Sequence, residues 1–353
     1  MPVMGAVHMS RRITFGLINT FGNPSDWHQP WHERYTQILE QTEWIDKKLP
    51  IDGVYVTEHH FYDDGYLPSP LVMCAAIAAR TKRITIGTNI AQIPLHHPVR
   101  FAEDALVVDA LSGGRLRLGV GMGYYRQEFE GVGVTLESRV ARTVEGIAIL
   151  RSAFSGKPFS FDGKQYSIPE IKVTPPPVRP GGPPLWMGAF HPRAVERAAR
   201  LADGFLAFDL GTLDQYLESC RQIGRPASEQ RVNCTYWAII AEDPEREFAR
   251  VGKHWLHLLN QYIIRDAYVG REPPLSAPYD DPKKALADGL VMLTDAAGAI
   301  KEFNRVIAKG AIDINLVTLM PGEPMEPFAN RLEYLCNRVI PFLDESTHPA
   351  LNP

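Results

Sequence analysis

The sequence has few cysteines, no long hydrophobic run and no block of like charges. Its 353 residues include four cysteines, and none of them forms a Cys-x-x-Cys pair. No apolar stretch approaches the roughly 20 residues that a membrane-spanning helix needs. The first ten residues also lack the basic start and apolar run of a signal peptide. The sequence therefore predicts a cytoplasmic protein with buried thiols and no membrane partner.

The charge balance argues against nucleic acid as a partner. The formal net charge is -4, and charges of both signs are interspersed along the chain. Hydrophobic residues make up 45% and charged residues 22%, which is typical of a globular protein. We predict one domain over residues 1–353, with 1–10 as a flexible lead-in whose native status the sequence leaves open.

Eight short segments, rich in β-branched or apolar residues, predict strands that are buried on both faces. Helical patterns lie between them. An α/β fold follows, a (β/α)8 TIM barrel, with a doubly wound sheet as the alternative because the strand count does not establish closure. The predicted strands are Ile13–Asn19, Gly53–Thr57, Ile84–Ile90, Leu116–Gly121, Pro184–Met187, Gly204–Phe208, Asn233–Ile240 and Asp313–Thr318.

Two helices show the spacing of a buried face. In the segment 139–151, Val140, Val144 and Ile147 recur at helical spacing, and in 192–202 Val195 and three alanines do the same. Another helix is predicted to end at Ser112-Gly113-Gly114, with glycine supplying a left-handed cap.

Two stretches exceed a minimal barrel and predict insertions in the regions of strands five and seven. Residues 154–182 contain Asp162-Gly163, a typical hairpin turn, and residues 242–288 form a longer excursion. We predict that both are loops or lids over the strand ends.

Polar residues follow the second predicted strand, where a barrel places its catalytic groups. The run Glu58-His59-His60 can shuttle a proton near neutral pH, or it can simply order the loop by hydrogen bonds. Adjacent histidines such as His96 and His97 diverge, and the chain has no His-Glu-x-x-His motif. No metal site is predicted.

The fourth predicted strand ends in Gly119-x-Gly121-x-Gly123. The dinucleotide-binding fingerprint Gly-x-Gly-x-x-Gly needs its third glycine at a position beyond Gly123 and a helix directly after it. Tyr124 and Tyr125 follow Gly123 here. The glycines indicate close backbone approach to a flat ligand, with tight packing at the barrel rim as the alternative.

The segment Gly188-Ala189-Phe190-His191 precedes a helix that begins with Pro192. Its free backbone N–H groups and the helix dipole predict an anion site. Arg139, at the start of another helix, is able to bind the same anion, although a lone arginine is often only a solvated surface residue.

Trp27, His28 and Trp31 follow the first predicted strand. Aromatic side chains at a barrel mouth can form the wall of an apolar substrate pocket. Packing beneath their own loop is the alternative.

Together these motifs resemble the bacterial luciferase-like, flavin-dependent monooxygenase family. The resemblance spans residues 13–210 and returns more loosely at 312–342. The segments that carry it are Thr57–Phe61, Gly87–Ile90, Pro94–Arg100, Leu111–Leu116, Gly119–Glu128, Arg139, Trp186–Ala189 and Ala202–Gly204.

The resemblance implies an enzyme that takes reduced FMN from a separate flavin reductase and uses dioxygen to oxygenate a small or medium apolar substrate. It implies a homodimer and a proton-handling role for His59. Asn89 would contact the isoalloxazine, and the Asn89–Ile90 bond would be a non-prolyl cis peptide. Arg139 and the turn 188–191 would hold the phosphate. Other cofactor contacts would come from Gly121, Gly123 and Tyr125.

The chain also departs from the family pattern. Phe190 and His191 occupy the phosphate turn where many members carry serine or threonine, and Gly121 and Met122 stand where the luciferases carry a cysteine and an arginine. Light emission is therefore not implied. The alternatives are a deazaflavin-dependent oxidoreductase on the same fold, a non-catalytic flavin-binding paralogue and a metal-dependent barrel hydrolase.

Overall fold

The computed structural model describes residues 13–265 and 277–349, so the predicted lead-in 1–10 lies outside the described residues. The strands are β1 (Thr14–Asn19), β2 (Gly53–Val56), β3 (Thr85–Gln92), β4 (Leu116–Gly121), β5 (Phe159–Asp162), β6 (Ser167–Ile171), β7 (Leu185–Gly188), β8 (Gly204–Ala207), β9 (Val232–Ile240), β10 (Met292–Thr294) and β11 (Asp313–Thr318). The helices are α1 (Trp31–Lys48), α2 (Pro70–Arg80), α3 (Pro98–Ser112), α4 (Arg126–Gly131), α5 (Arg139–Phe154), α6 (Pro192–Leu201), α7 (Leu210–Gln222), α8 (Pro244–Ile263), α9 (Pro282–Ala287), α10 (Ala296–Lys309) and α11 (Met325–Arg338).

Eight parallel strands close into a barrel in the order β1, β2, β3, β4, β7, β8, β9, β11. The ring closes because β11 pairs with β1 and β8 pairs with β9. The (β/α)8 prediction is confirmed, and the doubly wound alternative is wrong. All eight predicted strands are present with ends within two residues. The short strand β10, which pairs with β9, was not predicted.

Successive residues of a barrel strand point alternately outwards to the helices and inwards to the barrel interior. Val54, Ile86 and Leu118 are fully buried and pack with helical residues in the main apolar cluster. In the barrel interior, the Arg117 guanidinium lies 4.1 Å from the Tyr55 ring and pairs with Asp313 at 2.7 Å. The Arg117–Asp313 pair lies where β4 and β11 begin and fills that end of the barrel. The opposite end, where the strands have their C-termini, is left for a ligand.

Local chain signals explain where several helices begin and end. Gly113 caps α3 with φ +67°, and Pro192 opens α6, as predicted. The α5 helix begins at Arg139, but its predicted buried face is wrong. Val140 and Val144 are exposed, whereas Ile147 is buried.

Residues 154–182 form the predicted hairpin, with β5 and β6 joined at Gly163. The hairpin precedes the fifth barrel strand, β7, and packs on the outside of the barrel. Tyr166 and Ile168 lie against Ile149 of α5, and the Tyr166 ring faces Arg142 at 4.9 Å. Tyr166 also contacts His96 and His97, in the loop that follows β3.

The second predicted insertion, 242–288, carries two helices, α8 and α9. Its helix α8 follows β9 and brings Tyr262 to a hydrogen bond with Tyr66, 3.0 Å between the two hydroxyl oxygens. Part of this insertion, residues 266–276, lies outside the described residues.

All four cysteines are buried, as expected, and none of them forms a disulfide within the described residues. Within residues 13–265 and 277–349, no helix combines the length and apolarity that would let it span a membrane.

Candidate active site

Glu58 is the centre of a buried hydrogen-bond network just beyond β2. Its Oε1 accepts from Nε2 of His60 at 2.8 Å and from Nε2 of His96 at 2.7 Å, and its Oε2 accepts from the Gln92 amide at 2.7 Å. The carboxylate is fully buried, so these donors compensate for its loss of water. Glu58 and His60 thus order the loop beside His59.

A second buried carboxylate, Glu128 of α4, holds His59. Its Oε1 lies 3.0 Å from Nδ1 of His59 and accepts from the His60 amide at 2.8 Å. Its Oε2 accepts from Nε2 of Gln92 at 3.0 Å. Because the carboxylate is acceptor-only, His59 carries its hydrogen on Nδ1. Within the described part of the chain, Nε2 of His59 makes no hydrogen bond, so it is the nitrogen left to exchange a proton.

Four tyrosines surround the His59 imidazole. The ring of Tyr62 stacks on it with centroids 4.7 Å apart, and the rings of Tyr66, Tyr262 and Tyr124 lie steeply inclined to it at 4.9, 5.4 and 6.0 Å. Burial raises the pKa of Tyr66 to about 12, so its hydroxyl stays neutral at physiological pH. The result is an aromatic enclosure, made of these four tyrosines, around one histidine.

Strand β3 carries a cis peptide bond and a buried amide near its C-terminal end. The Asn89–Ile90 bond is cis, which confirms that prediction. Asn89 is 4% exposed, and neither its Oδ1 nor its Nδ2 has a partner within the described residues. A buried amide without partners requires acceptor and donor groups from elsewhere, because leaving it unpaired is costly.

Gly121 of β4 and Gly188 of β7, two of the predicted site residues, allow Ile90 of β3 to pack closely against these strands. A Cβ at Gly121 would lie 2.6 Å from Cδ1 of Ile90, and one at Gly188 would lie 3.3 Å from its Cγ2. Gly123 has φ +68° and a Cβ there would clash with the Gln92 side chain. The strand ends of β3, β4 and β7 therefore meet around the Asn89–Ile90 peptide.

The residues predicted to bind a phosphate lie at the starts of two different helices, α6 and α5. Residues 188–191 lead into α6, with Phe190 42% exposed. Arg139 starts α5 and donates to the carbonyl of Leu136 at 3.0 Å. Among the described residues, no hydrogen bond or ion pair joins Arg139 to the turn 188–191. Tyr125 lies at the start of α4, with its ring 6.4 Å from that of Tyr62.

The three predicted pocket residues after β1 do not form one wall. Trp27 packs on His254 of α8, with ring centroids 4.2 Å apart. Trp31 lies next to Tyr35 and, together with Tyr62 and Tyr66, lines an open cleft of ≈ 380 Å³. His28 is exposed beside Trp31. Of these three residues, Trp31 borders the cleft that shares tyrosines with the His59 enclosure, and Trp27 packs against α8 instead.

Sequence reasoning missed Glu128, Gln92 and the tyrosines. Glu128 stands at the end of the recognised motif 119–128, so its position was visible, but its partner His59 is 69 residues away. In the described parts of the chain, no cluster of three or more His, Cys, Asp or Glu side chains is arranged to hold a metal.

The Glu58 network predicts a specific pH dependence of stability. Burial raises the pKa of Glu58, but the charge of His96 and the hydrogen bonds from His60, His96 and Gln92 outweigh it and lower the pKa to about 2 from 4.5. Since the folded pKa lies below the unfolded one, the carboxylate stabilises the fold above about pH 4.5, and this is lost as the pH falls towards 2.

We therefore expect Glu58→Gln to flatten the acid side of the curve of unfolding free energy against pH. Urea denaturation at each pH between 2 and 5 measures this. The exposed Glu40→Gln should keep the wild-type slope. A variant curve parallel to wild type would show that Glu58 does not titrate in this window.

Comparison with known proteins supplies the family. Residues 13–298 match the model of the luciferase-like monooxygenases. The chain belongs to this family. The match runs from β1 to the first residues of α10, and it includes both carboxylate networks and the Asn89–Ile90 peptide of β3.

The family includes relatives with assigned reactions. The chain is 26% identical over 278 residues to 4-hydroxyprotoasukamycin monooxygenase of Streptomyces nodosus subsp. asukaensis, covering 75% of this chain and 73% of that one. It is 27% identical over 190 residues to the oxygenase component of the flavin-dependent trigonelline monooxygenase of Acinetobacter baylyi, covering 53% and 52%. The chain spans about half the length of several other curated relatives it matches.

Solved structures show the same fold at low identity. Monooxygenase RslO1 of Streptomyces bottropensis superposes with a TM-score of 0.80 at 22% identity, over 93% of this chain and 99% of that one. The oxygenating constituent of 3,6-diketocamphane monooxygenase of Pseudomonas putida, in complex with FMN, gives 0.73 at 17% over 94% and 99%. An F420-dependent secondary alcohol dehydrogenase gives 0.70 at 19% over the same shares.

Proposed function

We propose that this family member is the oxygenase component of a two-component system. It takes reduced FMN from a separate flavin reductase and uses dioxygen to oxygenate a small or medium apolar molecule. The observation that carries the proposal is the His59–Glu128 pair, enclosed by tyrosines just beyond β2, together with the unpartnered amide of Asn89 on the neighbouring strand β3.

The strand ends fit a flavin in three respects. Asn89 offers a buried donor and acceptor to the polar edge of a flat ring system. Gly121 and Gly188 let the Ile90 side chain pack closely and so hold the Asn89–Ile90 peptide in position. The turn 188–191 leads into the N-terminus of α6, which favours an anionic tail. When bound, reduced flavin supplies the electrons for activation of dioxygen.

The chain's own residues would handle the proton and the substrate. Glu128 fixes the Nδ1–H tautomer of His59, so Nε2 can accept or donate a proton within the enclosure. The tyrosines and α8 restrict water around that nitrogen. Their ring faces would contact an apolar substrate, with Trp31 at the adjoining cleft.

Isotope labelling tests the oxygenase proposal. The purified protein would be supplied with FMN, NADH, a flavin reductase and a panel of apolar aldehydes, ketones and phenols under ¹⁸O₂. We expect one product to gain a single ¹⁸O atom, detected by mass spectrometry. Labelled oxygen found only in water or peroxide, with every panel compound recovered unchanged, would count against the proposal.

A deazaflavin is the second candidate cofactor, because a structural neighbour holds an F420 adduct. In that case the chain would catalyse hydride transfer without oxygen. Anaerobic binding of FMN and F420, followed by fluorescence, separates the two. Tight F420 binding, weak FMN binding and no ¹⁸O product would favour the oxidoreductase. A non-catalytic flavin-binding paralogue is disfavoured by the intact His59–Glu128 pair.

Arg139→Ala provides a test of the predicted phosphate contact. If Arg139 binds the phosphate, the variant should weaken FMN about 10–100-fold and riboflavin hardly at all, since only FMN carries that charge. Fluorescence quenching of both flavins measures the ratio. Equal losses for the two flavins would assign Arg139 a structural role at the start of α5.

A homodimer in the cytoplasm remains our proposal for the assembly. Its support is an exposed apolar face on the packed pair α2 and α3, where Val72 is 71%, Val107 46% and Leu111 58% exposed. Faces of this kind commonly mark protein–protein contacts.

A further inference from the structure

Arg197 of α6 makes an unusual contact. Its Nη1 lies 3.6 Å from Sδ of Met122, the residue that follows β4. A thioether is a weak acceptor, whereas a guanidinium has five N–H donors. Within residues 13–265 and 277–349, Arg197 has no other hydrogen bond and no carboxylate within ion-pairing distance. Most donors of this part-buried guanidinium are therefore left for a further acceptor.

The sheet register fixes where this guanidinium lies. Strand β4 pairs with β7 through Leu118↔Leu185 and Val120↔Met187. Continuing that parallel register past the strand ends brings Met122 beside Ala189. Arg197 reaches Met122 from the second turn of α6, because helical side chains lean towards the N-terminus of their helix. Its guanidinium therefore lies next to the turn 188–191.

Resting on the proposed flavin-binding function, we infer that Arg197 is the guanidinium that recognises the anionic tail of the cofactor. It acts with the backbone amides of the turn 188–191. Neither Phe190 nor His191 offers a hydroxyl to that tail, so the guanidinium donates the side-chain hydrogen bonds. Arg197 thereby makes affinity depend on the phosphate and not on the ring system.

Binding measurements on the full chain test this assignment. Dissociation constants for FMN and for riboflavin would be measured by fluorescence quenching with wild type, Arg197→Ala and Arg197→Lys. We expect Arg197→Ala to weaken FMN about 10–100-fold and riboflavin less than about 2-fold. Arg197→Lys should fall between, because it keeps the charge and loses the planar fork. Arg200→Ala, an exposed arginine on the same helix, is the matched control and should change neither constant.

The outcomes separate the inference from the proposed function. A preference for FMN over riboflavin that is intact in Arg197→Ala would overturn the role of Arg197 and leave the flavin proposal standing. Equal losses for both flavins would make Arg197 a support for α6. If wild type binds F420 and neither flavin, FMN is the wrong cofactor. The dissociation constants of F420 and of its chromophore without the tail, compared between wild type and Arg197→Ala, then decide the role of Arg197. Binding of none of the four compounds would overturn both.

Discussion

Replacing His59 by alanine should lower turnover about 10²–10⁴-fold, the usual loss when a general acid–base group is removed. Flavin affinity should stay within about 2-fold of wild type, because His59 contacts Glu128 and the tyrosines rather than the turn 188–191. Product formation under saturating reduced FMN measures the first quantity, and fluorescence quenching measures the second.

The control for this substitution is His32→Ala, since the His32 side chain is 82% exposed on α1. Its turnover should equal that of wild type. Unchanged turnover in His59→Ala would remove His59 from the mechanism. A large loss of flavin affinity in His59→Ala would instead make it a binding residue.

Glu128→Gln should reduce turnover almost as much as His59→Ala does, by about 10²–10⁴-fold. The carboxylate is a positioning group, and an amide in its place can present a donor to Nδ1 and so favour the wrong tautomer of His59. In serine proteases the equivalent amide substitution lowers kcat by about 10⁴. Combining it with His59→Ala should add little, since residues that act as a unit lose their effects together.

The readout that a merely structural role would not change is the tautomer itself. In ¹⁵N spectra of the resting protein, His59 should carry its hydrogen on Nδ1 in wild type and on Nε2 in Glu128→Gln. Glu130→Gln, an exposed change on the same helix α4, should alter neither spectrum nor turnover. Lower turnover with an unchanged tautomer would mean that Glu128 acts only through the fold.

The barrel could be predicted because its strands are continuous apolar runs with polar ends. That pattern also located Glu58 and His59, which lie just beyond β2, and Asn89, which lies near the end of β3. The glycine cap at Gly113 and the proline start of α6 were equally local signals.

What the sequence could not supply depends on distant packing. Helix α5 is covered by the barrel through Ile147 and by the hairpin through Ile149. Val140 and Val144, at its start, lie on a face that neither covers, so helical spacing alone selected the wrong side.

Distant packing partners also determine where Trp27 and Trp31 lie. The short turn 25–27 directs Trp27 to α8, whereas Trp31 opens α1 and lies beside Gly65 on the other side. Neighbours in sequence were therefore not neighbours in the fold.

The enclosure around His59 has consequences for redesign of the enzyme. Both carboxylate networks use residues between 58 and 128 alone, whereas the outer wall includes Tyr262 of α8 and, behind it, Trp237 of β9. Exchange of α8 with that of another family member would therefore change one wall of the proposed pocket, whereas Tyr62, Tyr66, Tyr124 and the hydrogen bonds of His59 belong to residues 58–128. Because Tyr262 and His257 of α8 bond to Tyr66 and Asp64, the exchanged helix has to keep those two contacts.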